Sequence, residues 1–325
     1  HVNFWDPHTP YDHPGSFGNP FENEPIEEWI TQELLDRQNE SFGPHSATEV
    51  AGDTDELPAA ATMGAGRIRT LDDAKKHLDG YDTGIRFADH YVGKILDDLR
   101  SLGVYDDVAI IITADHGENH GELNVWGDHQ TADQITCRVP LIVAAPGMVD
   151  GGRVDRALHY HYDWAATLIE LAGGRVPENW DGAPFTEALR RGEEQGRDYL
   201  VVSQNAWSCQ RSVRFDDYIC LRTYHDGYKM LDPVMLFDLV QDPHEQHNLA
   251  SERPEVVNRA MRMLEDWRLE MASTSREAVD PMLTVLGEGG SFHTRSMLPQ
   301  YVRRLEQTER SHHAETLRAR HPRDA

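Results

Sequence analysis

"VAIIITADHGENHGELNVWGDH", residues 108–129, is the stretch whose reading decides the fold. It opens on an apolar, largely β-branched run from Val108 to Thr113, which reads as a strand covered on both faces. The run then breaks into Asp115, His116 and Gly117, with His120 and His129 a few residues further on. Packing explains the apolar half and leaves the polar half unexplained. In an open α/β sheet, ligands gather beyond the carboxyl ends of the strands, where loops present side chains without breaking the ladder. A carboxylate beside an imidazole at such a place is half of a metal site. For two residues alone, a capping Asp and a hydrogen-bonding His would be the simpler account.

Upstream, Leu78, Tyr81, Ile85, Val92, Ile95, Leu96, Leu99 and Leu102 recur at helical spacing. They predict a long amphipathic helix over 70–103 with Gly103 as C-cap. Downstream come the apolar run "RVPLIVAAPG", residues 138–147, and the helical "YDWAATLIELAGG", residues 162–174, with a capping Asp163 and a terminating Gly173. Helix, buried strand, strand, helix is the grammar of an α/β domain with a parallel sheet. From Tyr199 the pattern changes to short runs broken by Asp-Asp, Asp-Gly and Asp-Pro, which predicts a small antiparallel sheet. A helix over 254–271 closes it. Residues 300–325, "QYVRRLEQTERSHHAETLRARHPRDA", are charged with few apolar anchors, and predict an exposed helix fraying into a tail. Three units are expected: 1–195, 196–275 and 276–325.

Composition sets limits. With 325 residues and 39% hydrophobic content the chain can bury a sizeable core. A formal net charge of −25 argues against affinity for nucleic acid or anionic membrane, and no stretch is apolar enough to span a bilayer. Lys75, Lys76, Lys94 and Lys229 are the only lysines among 31 basic residues, a bias that fits a salt-tolerant or a GC-rich source equally. Cys137, Cys209 and Cys220 lack metal-ligand spacing and imply no disulfide framework. Compartment and homo-oligomerisation are left open. "HVNFWDPHTPY", residues 1–11, begins inside a strand-like run, so the natural N-terminus is expected further upstream, and it ends in Asp6, Pro7 and His8.

In family order, "DPHTPY", "TADHGENHGE", "RVPLIVAAPG" and "LFDLVQDPHEQHNLA" resemble the sulfatases of the alkaline phosphatase superfamily. The resemblance runs from His1 to about Met271. It implies an alkaline-phosphatase-like α/β domain, with a mixed sheet flanked by helices, and a smaller C-terminal α+β subdomain with a four-stranded antiparallel sheet. It also implies one divalent cation, usually Ca²⁺, with Mn²⁺ the alternative. Asp115 and His116 match the second ligand pair of that metal; many sulfatases have Asn in place of His116. His8 matches the sulfate-contacting His of the family's "PHxPY" segment.

Two departures matter. The Asp pair that completes the metal site, and the C-x-P-S-R or S-x-P-x-R signature whose Cys or Ser becomes formylglycine, are absent from these 325 residues. The chain is therefore expected to be the C-terminal part of a sulfatase and inactive alone. The family's Lys near the transferred sulfate has no lysine counterpart, and counting from the flanking motifs reaches His129 one way and Asp128 the other. We assign that role to His129, with an orienting histidine as the alternative. His120, four residues after His116, is a candidate substrate contact or a packed ring. His293 and Arg295, in the Gly-rich "GEGGSFHTR" of residues 287–295, are candidate contacts to a polyanion or parts of a docked loop.

The expected function is hydrolysis of a sulfated carbohydrate or aryl ester. One alternative is a phosphonate monoester or phosphodiester hydrolase of the same superfamily, where "DHGE" also occurs. Another is a non-catalytic truncated homologue that binds sulfated glycan. Retention of Asp115, His116, His8 and His129 weighs against it.

Overall fold

In the computed structural model, residues 1–50, 66–146, 151–276, 279–308, 310–322 and 324 are described. The opening residues form no strand; they run as irregular chain into the turn that carries His8, contrary to the expectation from their apolar pattern. Helix α1, Gln32–Asn39, starts at Thr31, whose hydroxyl accepts from the Leu34 amide. Helix α2, Leu71–Ser101, starts at Thr70 with a reciprocal capping box to Asp73 and stops just before Gly103, at φ 71°. The helix over 70–103 is thus present almost to the residue.

Strand β1 is shorter than expected, Ile110–Thr113, and only half-buried. After it come the short β2, Asn119–His120, and β3, Trp126–Asp128. Helix α3, Gln134–Cys137, is one turn, and β4 is Leu141–Ala144. Gly147, which ends the "RVPLIVAAPG" run, lies outside the described residues. β1 and β4 pair antiparallel, Ile110 opposite Ala144 and Thr113 opposite Leu141. The expected parallel arrangement is corrected on this point: the segment between the two strands folds back through β2, β3 and α3, without a crossover helix. Each strand has only the other for a partner among the described residues, so Ile142 is exposed.

Helix α4, His161–Leu171, takes Asp163 at its third position, where the carboxylate accepts from the Tyr160 amide. The same carboxylate receives both arms of Arg197, at 2.8 and 2.6 Å. After α5, Thr186–Arg191, the chain enters the four-stranded antiparallel sheet: β5, Tyr199–Gln204; β6, Cys209–Phe215; β7, Tyr218–His225; β8, Val234–Asp238, in that order. Register puts Val201, Val213, Cys220 and Leu236 in one row across the sheet. That row meets Ala260 and Leu264 of α6, Pro254–Thr274, so the period-2 strands and the helix share one apolar core.

The C-terminal residues depart from expectation. After α7, Pro281–Gly287, helices α8, Leu298–Gln307, and α9, Ser311–Arg320, form a hairpin docked on the body. Leu298, Tyr301, Val302 and Leu305 repeat at i, i+3, i+4 and i+7, and are buried with Phe42, Tyr228, Ala314 and Leu317. One narrow apolar stripe suffices to hold a segment whose composition is mostly charged.

Candidate active site

The loop after β1 brings Asp115 and His116 to the surface. It can do so because Gly117 lies against α3: a Cβ there would sit 1.9 Å from the Ile135 carbonyl oxygen. The Gly117 amide donates to Thr136 O at 2.8 Å. Behind it Asn119 donates to Asp133 (2.9 Å) and accepts from the Thr136 hydroxyl (2.6 Å), so a buried polar network fixes the loop.

Pro7 to Tyr11 dock beside this loop. Pro7 rests on α2 at Gly84, where a Cβ would come within 2.8 Å of the proline ring. Tyr11 is buried and its hydroxyl donates to Glu118, which ties the "DPHTPY" segment to the "DHGE" segment directly. His8 remains exposed, stacked on Trp5 with ring centroids 4.5 Å apart. Its Nδ1 bonds Thr9 O at 2.6 Å, which leaves Nε2 for a ligand.

His116 and His129 stack face to face, centroids 3.7 Å apart. His116 Nδ1 donates to Gly117 O at 2.9 Å, so its neutral ring carries the lone pair on Nε2, 3.8 Å from Asp115 Oδ2. An imidazole lone pair beside a solvated carboxylate is a donor set that fits a divalent cation. Burial lowers the pKa of His129, and the nearby His116 and His8 lower it further, against the pull of Asp128 and Asp115. Asp115, His116 and His8, singled out in sequence as metal-binding or catalytic, therefore each lie within electrostatic reach of His129.

Two partners were not visible in the sequence. Asp128, on β3, accepts from the His129 amide (2.6 Å) and lies 3.3 Å from its Nδ1, while its other oxygen is 3.1 Å from His45 Nε2. Burial alone would raise the Asp128 carboxyl; His45, His129 and Gln130 outweigh it and hold it below the usual carboxylate range. The dyad turns His129 so that Nε2 is the nitrogen left for a substrate. "GDH" carried a hint of Asp128 in the disputed count, and nothing in the sequence pointed to His45. The small sheet braces this loop: Gln204 donates to His129 O (2.8 Å) and Ser208 to Gln130 O (2.8 Å).

The remaining candidates lie elsewhere. His120 is a packed ring among Tyr11, His77 and Tyr81, with burial holding its pKa well below the ordinary value. Its nitrogens are shielded from solvent, which leaves no surface for substrate. Arg295 pairs with Glu288 (2.8 Å) and reaches back to Gly290 O, so its guanidinium clamps its own loop. His293 stacks on Trp207 at 4.4 Å.

The α/β layer with its loop-borne site, followed by a four-stranded antiparallel sheet, is the architecture of the alkaline-phosphatase-like hydrolases. A phosphonate monoester hydrolase from Silicibacter pomeroyi superposes with a TM-score of 0.64 at 22% identity, covering 81% of this chain and 54% of that one. The sulfatase family profile matches residues 3–174, and a profile for the C-terminal region of N-sulphoglucosamine sulphohydrolase matches residues 121–270. This chain belongs to the sulfatase family. It is 29% identical over 192 residues to a choline-sulfatase of Rhizobium meliloti, covering 56% of this chain and 34% of that protein. It is 24% identical over 184 residues to an N-acetylglucosamine-6-O-sulfatase of Bacteroides thetaiotaomicron, covering 54% and 32%. The chain spans about a third of the length of these curated relatives.

Proposed function

We propose that this chain carries part of the active site of a sulfuric ester hydrolase, with Asp115 and His116 as ligands of a divalent cation and His8 and His129 at the sulfate. The observation that carries it is the meeting of these residues from two distant segments, joined by the Tyr11–Glu118 bond. A cation held there would draw charge from the nonbridging sulfate oxygens. His8, through Nε2, would hold a sulfate oxygen. His129, oriented by Asp128, would give a proton to the departing oxygen, which a poor leaving group needs and an activated phenol does not. None of Cys137, Cys209 and Cys220 stands in a formylglycine signature.

Ca²⁺ is the cation the family resemblance implies, and the nitrogen donor of His116 suits Mn²⁺ as the alternative. That donor also supports a second reading, a phosphonate monoester or phosphodiester hydrolase. The choline and N-acetylglucosamine sulfates named for the relatives frame the substrate class as sulfate esters of small alcohols and sugars. Parallel assays of the protein isolated from its source, on an aryl sulfate, a glucosamine 6-sulfate and a phenyl phosphonate ester, test both. Preference for the phosphonate by an order of magnitude would reverse the order of the two readings.

A further inference from the structure

The end of the chain builds a second donor set, distinct from Asp115 and His116 and independent of the hydrolase reading. Strand β7 ends in His225, and the turn after it carries Asp226. Helix α9 ends at Arg320, which brings His321 and Asp324 against that turn. The four side chains come from two segments far apart in the chain, and none is more than 10% exposed.

Hydrogen bonds fix where the lone pairs lie. His225 Nδ1 accepts from the Gly227 amide at 3.1 Å, and its Nε2 donates to Asp324 Oδ2 at 2.9 Å. The same Asp324 oxygen lies 3.2 Å from His321 Nδ1, while Asp226 Oδ1 lies 2.8 Å from His321 Nε2. A neutral imidazole has one proton for these two carboxylates, so its other nitrogen needs a positive charge of its own. With the proton toward Asp324, that nitrogen is Nε2. It is buried and, despite the short distance, makes no hydrogen bond among the described residues, because Asp226 Oδ1 stands off the axis along which an N–H would point. Donor atoms that converge on one ion stand in this way, about 3 to 3.5 Å apart and aimed at the ion instead of at each other. One donor atom each from His225, Asp226 and His321 lies within 4.8 Å of the other two. Arg320 holds Asp226 through Oδ2, at 2.9 and 2.6 Å, which keeps Oδ1 toward the rings.

We infer that His225 Nδ1, Asp226 Oδ1 and His321 Nε2 form a Zn²⁺ site, with Asp324 holding the far nitrogen of each ring. A carboxylate behind an imidazole keeps the proton off the nitrogen that binds. Two nitrogens and one oxygen suit zinc over Ca²⁺ or Mg²⁺, and solvent supplies the fourth position. Zn²⁺ displaces the long Gly227–His225 bond, and any second proton on His321 leaves to solvent. Without zinc, that second proton fills the same place. Because its ligands join β7 to the residue after α9, the ion staples the C-terminal hairpin to the antiparallel sheet.

Calorimetric titration of the chelator-treated full chain with Zn²⁺ tests the assignment. His321→Ala and His225→Ala should each lose one equivalent of bound zinc, Asp324→Asn should bind that equivalent about ten-fold more weakly, and excess Ca²⁺ should not displace it. In the unaltered chain Zn²⁺ should slow tryptic cleavage at Arg318 and Arg320, a readout that needs no substitution in the cluster and survives a variant that fails to fold. Undiminished zinc binding in His321→Ala overturns the site, as does cleavage at Arg318 and Arg320 that ignores zinc. Absence of zinc binding by the unaltered chain also overturns it, and leaves the cluster an ion pair around a doubly protonated His321.

Discussion

The imidazole rings of His116 and His129 lie face to face, 21° from parallel with their centroids 3.7 Å apart. Two imidazolium ions in that arrangement would repel, and the neighbouring ring accordingly helps burial to lower the pKa of His129. On the reading proposed above, with Asp115 beside one ring and Asp128 beside the other, the pair divides the work: His116 offers a lone pair outward, and His129 gives a proton when it carries one.

Metal content follows from the first half of that division. Asp115→Asn or His116→Ala should cut bound divalent cation from roughly one equivalent to near zero by elemental analysis. His8→Ala should leave it unchanged. Retention of the cation in Asp115→Asn would remove this carboxylate from the ligand set, and the element that co-purifies decides between Ca²⁺ and Mn²⁺.

Turnover follows from the second half. His129→Ala should slow esters of alkyl and sugar alcohols about 10²-fold or more in kcat while sparing activated aryl esters. Asp128→Asn, which loses the charge that supports the His129 imidazolium, should move the same substrates in the same direction by less. Equal losses on both ester classes would make His129 a positioning residue.

Acid stability reports on the buried aromatic cluster behind the site. Burial drives the pKa of His77 down to about 3, whereas in the unfolded chain it titrates near its ordinary value. Between those two values the unfolded state binds a proton that the folded state refuses, so stability is lost as pH falls from about 6.5 toward 3. His77→Phe should remove that slope, on the order of several kcal/mol across the window. Urea unfolding at pH 7 and pH 4.5 measures it, and parallel pH dependence in variant and parent would refute the account.

The C-terminal hairpin should detach when its stripe is cut. Leu305 is fully buried, and Leu305→Ala should cost roughly 3 kcal/mol at the α8–α9 contact. Trypsin should then cleave near Arg303, Arg304 and Arg318 much faster, with the β5–β8 sheet as resistant as before. Unaltered cleavage would mean that the hairpin is held by its ion pairs with Glu49 and Asp226 instead.

How much of this was readable in the sequence depends on range. Helix α2 was legible because its cap, its apolar spacing and Gly103 are all local signals. The β5–β8 sheet was legible because two of its three turns are written in Asp dipeptides, Asp216-Asp217 after β6 and Asp226-Gly227 with Asp232-Pro233 after β7. Asp115, His116 and His8 stood out because polar groups at the ends of apolar runs have no packing role, whereas His129 was reached only by counting from the flanking family motifs. Strand direction was misread, since nothing in the apolar run of β1 records which partner it meets. Asp128 and His45 were missed as a pair because their contact joins residues far apart in the chain. The α8 stripe was missed because charged residues outnumber four well-spaced apolar ones.

The β1–β4 ladder has a further consequence. The loop that presents Asp115 and His116 springs from a strand with, among the described residues, one partner and four residue pairs. If Asp115 and His116 hold a cation as proposed above, fraying of that ladder would scatter them, and binding the cation and closing the ladder would be one thermodynamic event seen from two ends. Amide hydrogen exchange at Ile110–Thr113 should slow in proportion to cation occupancy, while exchange in β6 and β7 stays indifferent to it. The strand is thus a built-in gauge of the site, legible at the backbone before any substrate is turned over.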